Sequence, residues 1–153
     1  MGALGLTMPA GAHSWTAIEK TIKEVEKTGT EVVIRDCSAD RPRVYGYYRF
    51  NQAEGIDRLV ICDNETNMRN PTAVWETLSH EATHVAQACQ GETIFKDEFI
   101  PEMIAELKVR RPSYLRLLQE YPEHHRAKEL EAFWVELQDE EVINDLLKHF
   151  CDT

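Results

Sequence analysis

The sequence predicts an α+β domain: a first helix, a small three-stranded sheet, then helices over the remaining length. Three observations carry that expectation. Apolar residues recur at helical spacing up to Gly29, give way to short β-branched and aromatic runs between Thr30 and Asp63, and return to helical spacing after Asn70. Pro101, Pro112 and Pro122 then divide the second half into separate helical segments. The chain has 153 residues with no internal repeat or low-complexity linker, which suits one hydrophobic core.

Residues 1–13 are expected to form a flexible arm, and 14–153 a single domain. The stretch MGALGLTMPAGAH lacks the basic start and long apolar run of a secretory signal. Leu6 stands where an N-myristoylation pattern needs Ser or Thr. Ser14 is placed to cap a helix running through WTAIEKTIKEVEKT, with Ile18, Ile22 and Val25 on one face and Gly29 as its stop. Strands follow over 30–36 (TEVVIRD), 43–50 (RVYGYYRF) and 57–63 (DRLVICD), set apart by turn formers such as Asp40, Pro42, Asn51 and Gly55. The short polar loop between the last two strands predicts at least one antiparallel pair. Asn70-Pro71 combines a helix cap with proline at the first helical position. Helices are expected over 71–90, 99–110, 112–120, 122–138 and 139–150.

Composition excludes several roles. Lys and Arg total 17 against 27 Asp and Glu, a net charge of −10, and no basic block stands out. Neither a nucleic-acid partner nor an anionic membrane surface suits that balance. No window approaches the ~20 apolar residues of a membrane span. Cysteines at 37, 62, 89 and 151 form no Cys-x-x-Cys motif. Cys62 and Cys89 fall on apolar faces, so buried free thiols, a reducing compartment and a cytoplasmic location are expected.

The chemistry concentrates in TLSHEATHVAQ. His80-Glu81-Ala82-Thr83-His84 is an HExxH motif, and residues four apart on a helix are rotated by only about 40°. Both imidazoles can therefore reach one metal ion, with Glu81 beside it as a candidate general base. The neighbours Leu78, Ser79, Ala82, Thr83, Val85 and Ala86 are uncharged. Val74, Leu78, Ala82, Val85 and Cys89 follow one face, and Ala73, Thr77, His80 and His84 another, which describes a helix packed on both sides.

A catalytic zinc usually takes three protein ligands. A histidine extension beyond His84 is absent, since Gln87 and Gln90 occupy its key positions. The segment YPEHHRAKELEAFWVELQ offers glutamates instead. On its wheel Glu131 borders the apolar stripe of Ala127, Leu130, Phe133 and Trp134, whereas Glu129 and Glu136 lie on the opposite edge. A carboxylate among apolar neighbours needs a cation, which favours Glu131 as third ligand, with Glu129 the alternative.

HEATH followed by a helix carrying ELEAF resembles the gluzincin type of zinc metallopeptidase, especially its compact single-domain members, the minigluzincins. It is also similar to small HExxH proteins of phage and bacterial regulators. The resemblance implies a zincin-like fold in which His80, His84 and Glu131 bind zinc and Glu81 activates water. It further implies a residue that steadies the oxyanion. His124, two turns before Glu131, is the candidate, with Tyr121 and His125 as alternatives.

The expectation is thus a monomeric zinc metallopeptidase acting on peptide or protein substrates. A zinc-binding regulatory protein without peptidase activity is the alternative. RLVICD is expected at the sheet edge, where it would align an extended peptide. Tyr45 and Tyr47, with Arg43 and Arg49, either border a cleft or pack across strands.

Overall fold

The computed structural model describes residues 13–151. The arm expected over 1–13 lies outside the described residues except for His13, whose ring stacks on Trp75 at 4.6 Å between centroids. Ser14 caps α1 (Trp15–Lys27) as expected, its hydroxyl accepting from the Ala17 amide at 3.1 Å. Gly29 ends the segment at φ 96, a left-handed conformation that costs glycine little.

The sheet holds β1 (Glu31–Arg35), β2 (Gly46–Asn51) and β3 (Ile56–Cys62) in the order β1-β3-β2. β2 pairs antiparallel with β3, as the short loop requires, and β1 runs parallel to β3. β2 begins at Gly46 rather than at Arg43, because Arg43 sits in the left-handed region at φ 69. RLVICD is not an edge strand. Leu59, Val60, Ile61 and Cys62 are all fully buried, and a continuous apolar run of this kind needs neighbours on both sides. The strand at the sheet edge beside the HExxH helix is β2.

Among the described residues six helices accompany the sheet: α1, α2 (Pro71–Gln90), α3 (Ile100–Arg110), α4 (Pro112–Leu118), α5 (Glu123–Glu136) and α6 (Glu140–Cys151), with a 3-10 turn at Asp97–Phe99 before α3. Each falls close to its expected range. Asn70 caps α2 by accepting from the Thr72 and Ala73 amides, with Pro71 at the first position. α2 packs against α1, α5, α6, β2 and β3, so both of its faces are covered, as its lack of charge predicts.

The main core joins Trp75, Leu78, Ala82 and Val85 of α2 to Ile18, Val25, Leu59, Ile61, Val135, Ile143 and Leu147. A second cluster of Met103, Leu107, Leu118, Leu130 and Phe133 fixes α3 and α4 to α5. Through these contacts α5 is held along α2, the arrangement on which the site depends.

The cysteines are not free thiols. Cys37 is bonded to Cys62 and Cys89 to Cys151. The β1–β3 register sets Arg35 opposite Cys62, so Cys37, just past the strand, arrives beside it with Cα atoms 5.4 Å apart. The ends of α2 and α6 bring Cys89 and Cys151 to 5.0 Å. Cys89 is also exposed rather than buried. Both pairings depend on strand order and helix packing, which cysteine spacing does not encode. Among the described residues no helix is long and apolar enough to cross a membrane.

Candidate metal centre

One turn of α2 separates His80 from His84, and their imidazole nitrogens converge with one carboxylate of α5. His80 Nε2 lies 3.0 Å from Glu129 Oε1, and His84 Nε2 lies 3.0 Å from Glu129 Oε2. Ligand atoms of these three residues all lie within 4.8 Å of one another. Donors about 2.0 Å from a tetrahedral zinc stand about 3.3 Å apart, so two imidazoles and a carboxylate at this spacing fit such an ion.

The other ring nitrogens are already engaged. His80 Nδ1 meets Glu136 Oε2 at 2.6 Å, and His84 Nδ1 meets Gln87 Oε1 at 2.8 Å. Both partners are acceptors at those atoms, so each Nδ1 carries hydrogen. Each Nε2 is then left to face Glu129, which is the arrangement metal-ligating histidines require. Glu136 is fixed in turn by the Tyr114 hydroxyl, which donates to Oε1 at 2.6 Å. The Phe133 ring meets His80 edge-on at 4.9 Å.

Charge in this cluster is strongly coupled. Burial alone would depress His80, but its hydrogen bonds to Glu129 and Glu136 outweigh burial and hold it well above the usual histidine range. Burial likewise opposes ionisation of Glu129, and the two histidines overcome it, holding the carboxyl far below the usual carboxylate range. Glu81, 8% exposed, is pushed upward by burial.

The structure brings Glu129, not Glu131, to the histidines. Glu131 is 2% exposed, and both of its oxygens are taken: Oε1 accepts from the Gln87 amide and the Ile94 backbone at 2.9 Å each, and Oε2 from Phe95 at 2.7 Å. The apolar stripe correctly marks Glu131 as a buried carboxylate in need of partners. Those partners are two backbone amides and the Gln87 side-chain amide rather than a cation. α5 is covered on two sides, so burial could not say which glutamate faces α2. Glu129, Phe133 and Glu136, at i, i+4 and i+7, form the face toward His80. Their shared register was the available signal for Glu129 and for Glu136, whose role the sequence expectation missed along with that of Gln87.

A cleft of about 420 Å³ opens over these residues, bordered by Gly46, Tyr47 and Tyr48 of β2 and by Tyr121, His125 and Lys128. Tyr121 lies just before α5, and His125 and Glu129, four residues apart, share one face of that helix. His124 is not on that face: it is exposed and packs on the His125 ring at 4.1 Å. Burial, Glu129 and Glu81 push the Tyr121 hydroxyl up to about 12, so it stays a hydrogen donor at neutral pH.

Gly46 lets β2 approach α2 closely. A Cβ there would stand 2.6 Å from Thr77 Cγ2 and 2.7 Å from the Val60 carbonyl oxygen. Of the two tyrosines expected near a cleft, Tyr47 borders it, its hydroxyl accepting from Arg35 at 2.7 Å and its ring lying under Arg41. Tyr45 is 59% exposed and stands outside it.

No curated protein and no solved structure matches the chain. Residues 17–151, which include the whole site, match the model of a family described as Domain of unknown function (DUF8637), and the chain belongs to that family.

Proposed function

We propose that this protein is a zinc-dependent metallopeptidase with a compact zincin-like fold of the gluzincin type. The observation that carries it is the convergence of both Nε2 atoms on Glu129, with Glu136 and Gln87 holding the opposite ring nitrogens. His80, His84 and Glu129 would hold the ion. Bound there, zinc would supply Lewis-acid polarisation of a peptide carbonyl and of water.

The chain's own groups account for the rest. Glu81 follows His80 directly and faces the cleft, where its carboxylate takes a proton from the attacking water and returns it to the leaving amine. The Tyr121 hydroxyl replaces His124 as the donor that steadies the oxyanion, since it borders the cleft and remains protonated. β2, at the sheet edge, offers backbone groups along which an extended peptide can lie. The net charge of −10 supports a peptide rather than a nucleic-acid substrate. Two disulfides favour an oxidising compartment over the cytoplasm.

The test is zinc-loaded wild type and Glu81→Gln against a broad peptide library. Wild type should cut, and Glu81→Gln should bind zinc equally while losing hydrolysis. Cleavage by Glu81→Gln at near the wild-type rate removes the base role. Zinc binding with no cleavage by wild type turns the assignment to a regulatory metal site.

A further inference from the structure

Gln87 stands between His84 and two acceptors on α5. Its Nε2 lies 3.0 Å from the Lys128 carbonyl oxygen and 2.9 Å from Glu131 Oε1, while its Oε1 lies 2.8 Å from His84 Nδ1. A backbone carbonyl only accepts, so the nitrogen end of the amide must be the one that faces Lys128. The oxygen end then faces His84 and, being itself an acceptor, demands hydrogen on Nδ1. Turned over, the same amide would present N–H to Nδ1, draw the ring hydrogen to Nε2 and block the atom that faces Glu129.

Glu131 is built into this arrangement from the other side. The Ile94 and Phe95 amides, in the segment that follows α2, bind its two oxygens at 2.9 and 2.7 Å. The carboxylate is thereby pinned at the position from which it receives the Gln87 hydrogen. Among the described residues neither oxygen pairs with a lysine, arginine or histidine, so the carboxylate serves the two backbone amides and the Gln87 amide.

We infer that Glu131 and Gln87 are positioning residues: the segment after α2 fixes Glu131, Glu131 orients the Gln87 amide, and Gln87 sets His84 to ligate through Nε2. The inference rests on the metal assignment above. It adds a consequence of its own, that the Ile94–Phe95 segment is coupled to the metal through three hydrogen-bonded groups rather than through packing alone.

The experiment is zinc affinity, by competition with a chromophoric chelator, for wild type, Glu131→Gln, Gln87→Leu and the double variant. Thermal melts of the metal-free proteins run alongside. A glutamine at 131 sets its own amide hydrogens against those of Gln87 or the backbone, so affinity should fall about 10- to 100-fold, and Gln87→Leu should match it. If Glu131 acts through Gln87, the double variant loses no more than Gln87→Leu alone.

A purely structural tether would instead lower the melting temperature and leave zinc affinity within about 3-fold, or its loss would multiply with that of Gln87→Leu. Either result overturns the relay. Should Glu131→Gln fail to fold, Gln87→Leu decides with histidine nitrogen NMR of the zinc-loaded protein. A protected His84 Nδ1–H signal in wild type that disappears in Gln87→Leu supports the relay, and one that persists overturns it. Failure of the metal assignment looks different, since wild type itself would then bind no zinc.

Discussion

His80 and Glu136 share one short hydrogen bond, Nδ1 to Oε2 at 2.6 Å, across the interface between α2 and α5. The other carboxylate oxygen takes the Tyr114 hydroxyl at 2.6 Å, and Glu136 is 5% exposed. Removing this carboxylate leaves His80 Nδ1 without its partner and the Tyr114 hydroxyl with only Arg111 at 3.1 Å and Glu76 at 3.5 Å.

Glu136→Ala should therefore weaken zinc binding about 10- to 100-fold, through a residue that never touches the ion. It should also cost the metal-free protein about 1–3 kcal/mol, the usual penalty for an orphaned buried polar partner. Chelator competition and denaturant unfolding read the two effects separately. Unchanged zinc affinity would show that Glu136 only fastens Tyr114.

Gly46→Ala tests the contact between β2 and the motif helix. The added methyl would meet Thr77 and the Val60 carbonyl below 3.0 Å and reach Glu81 Cγ at 3.4 Å. Overpacking of this kind costs about 1–3 kcal/mol. A thermal melt should drop by several degrees, and an unchanged melt would mean that β2 moves away freely.

Both disulfides should be present in purified protein. Unreduced material should take up no thiol reagent under denaturing conditions. The bonds span 25 and 62 residues, so breaking either should lower stability by roughly 3.5–4.5 kcal/mol in the loop-entropy account. Free thiols in protein produced under oxidising conditions would contradict the pairings.

Much of this was legible in the sequence because it rests on local signals. Ser14, Gly29, Asn70 and Pro71 mark helix ends by backbone chemistry, and HExxH places two imidazoles on one face through helical spacing alone. What failed to read out depends on which elements meet. β3 lies at the centre because β1 returns beside it, and no local pattern states that pairing. The cysteine bonds follow from the same pairing and from the packing of α6 on α2.

Glu129 and Glu131 differ only in which covered side of α5 they occupy. A wheel drawn for a helix with one buried face could not separate them. Gln87 and Glu136 meet the second ring nitrogens of His84 and His80, and only the placement of α5 along α2 turns the register of Glu136 with Glu129 into a visible signal.

The central claim is that Glu129 completes the metal site with His80 and His84. The most direct measurement is zinc content and chelator competition for wild type and Glu129→Gln after metal-replete expression. Wild type should carry about one equivalent, and Glu129→Gln, with a neutral and poorer ligand, should fall below ~0.2. A Glu129→Gln protein that folds and holds zinc as wild type does would contradict the account.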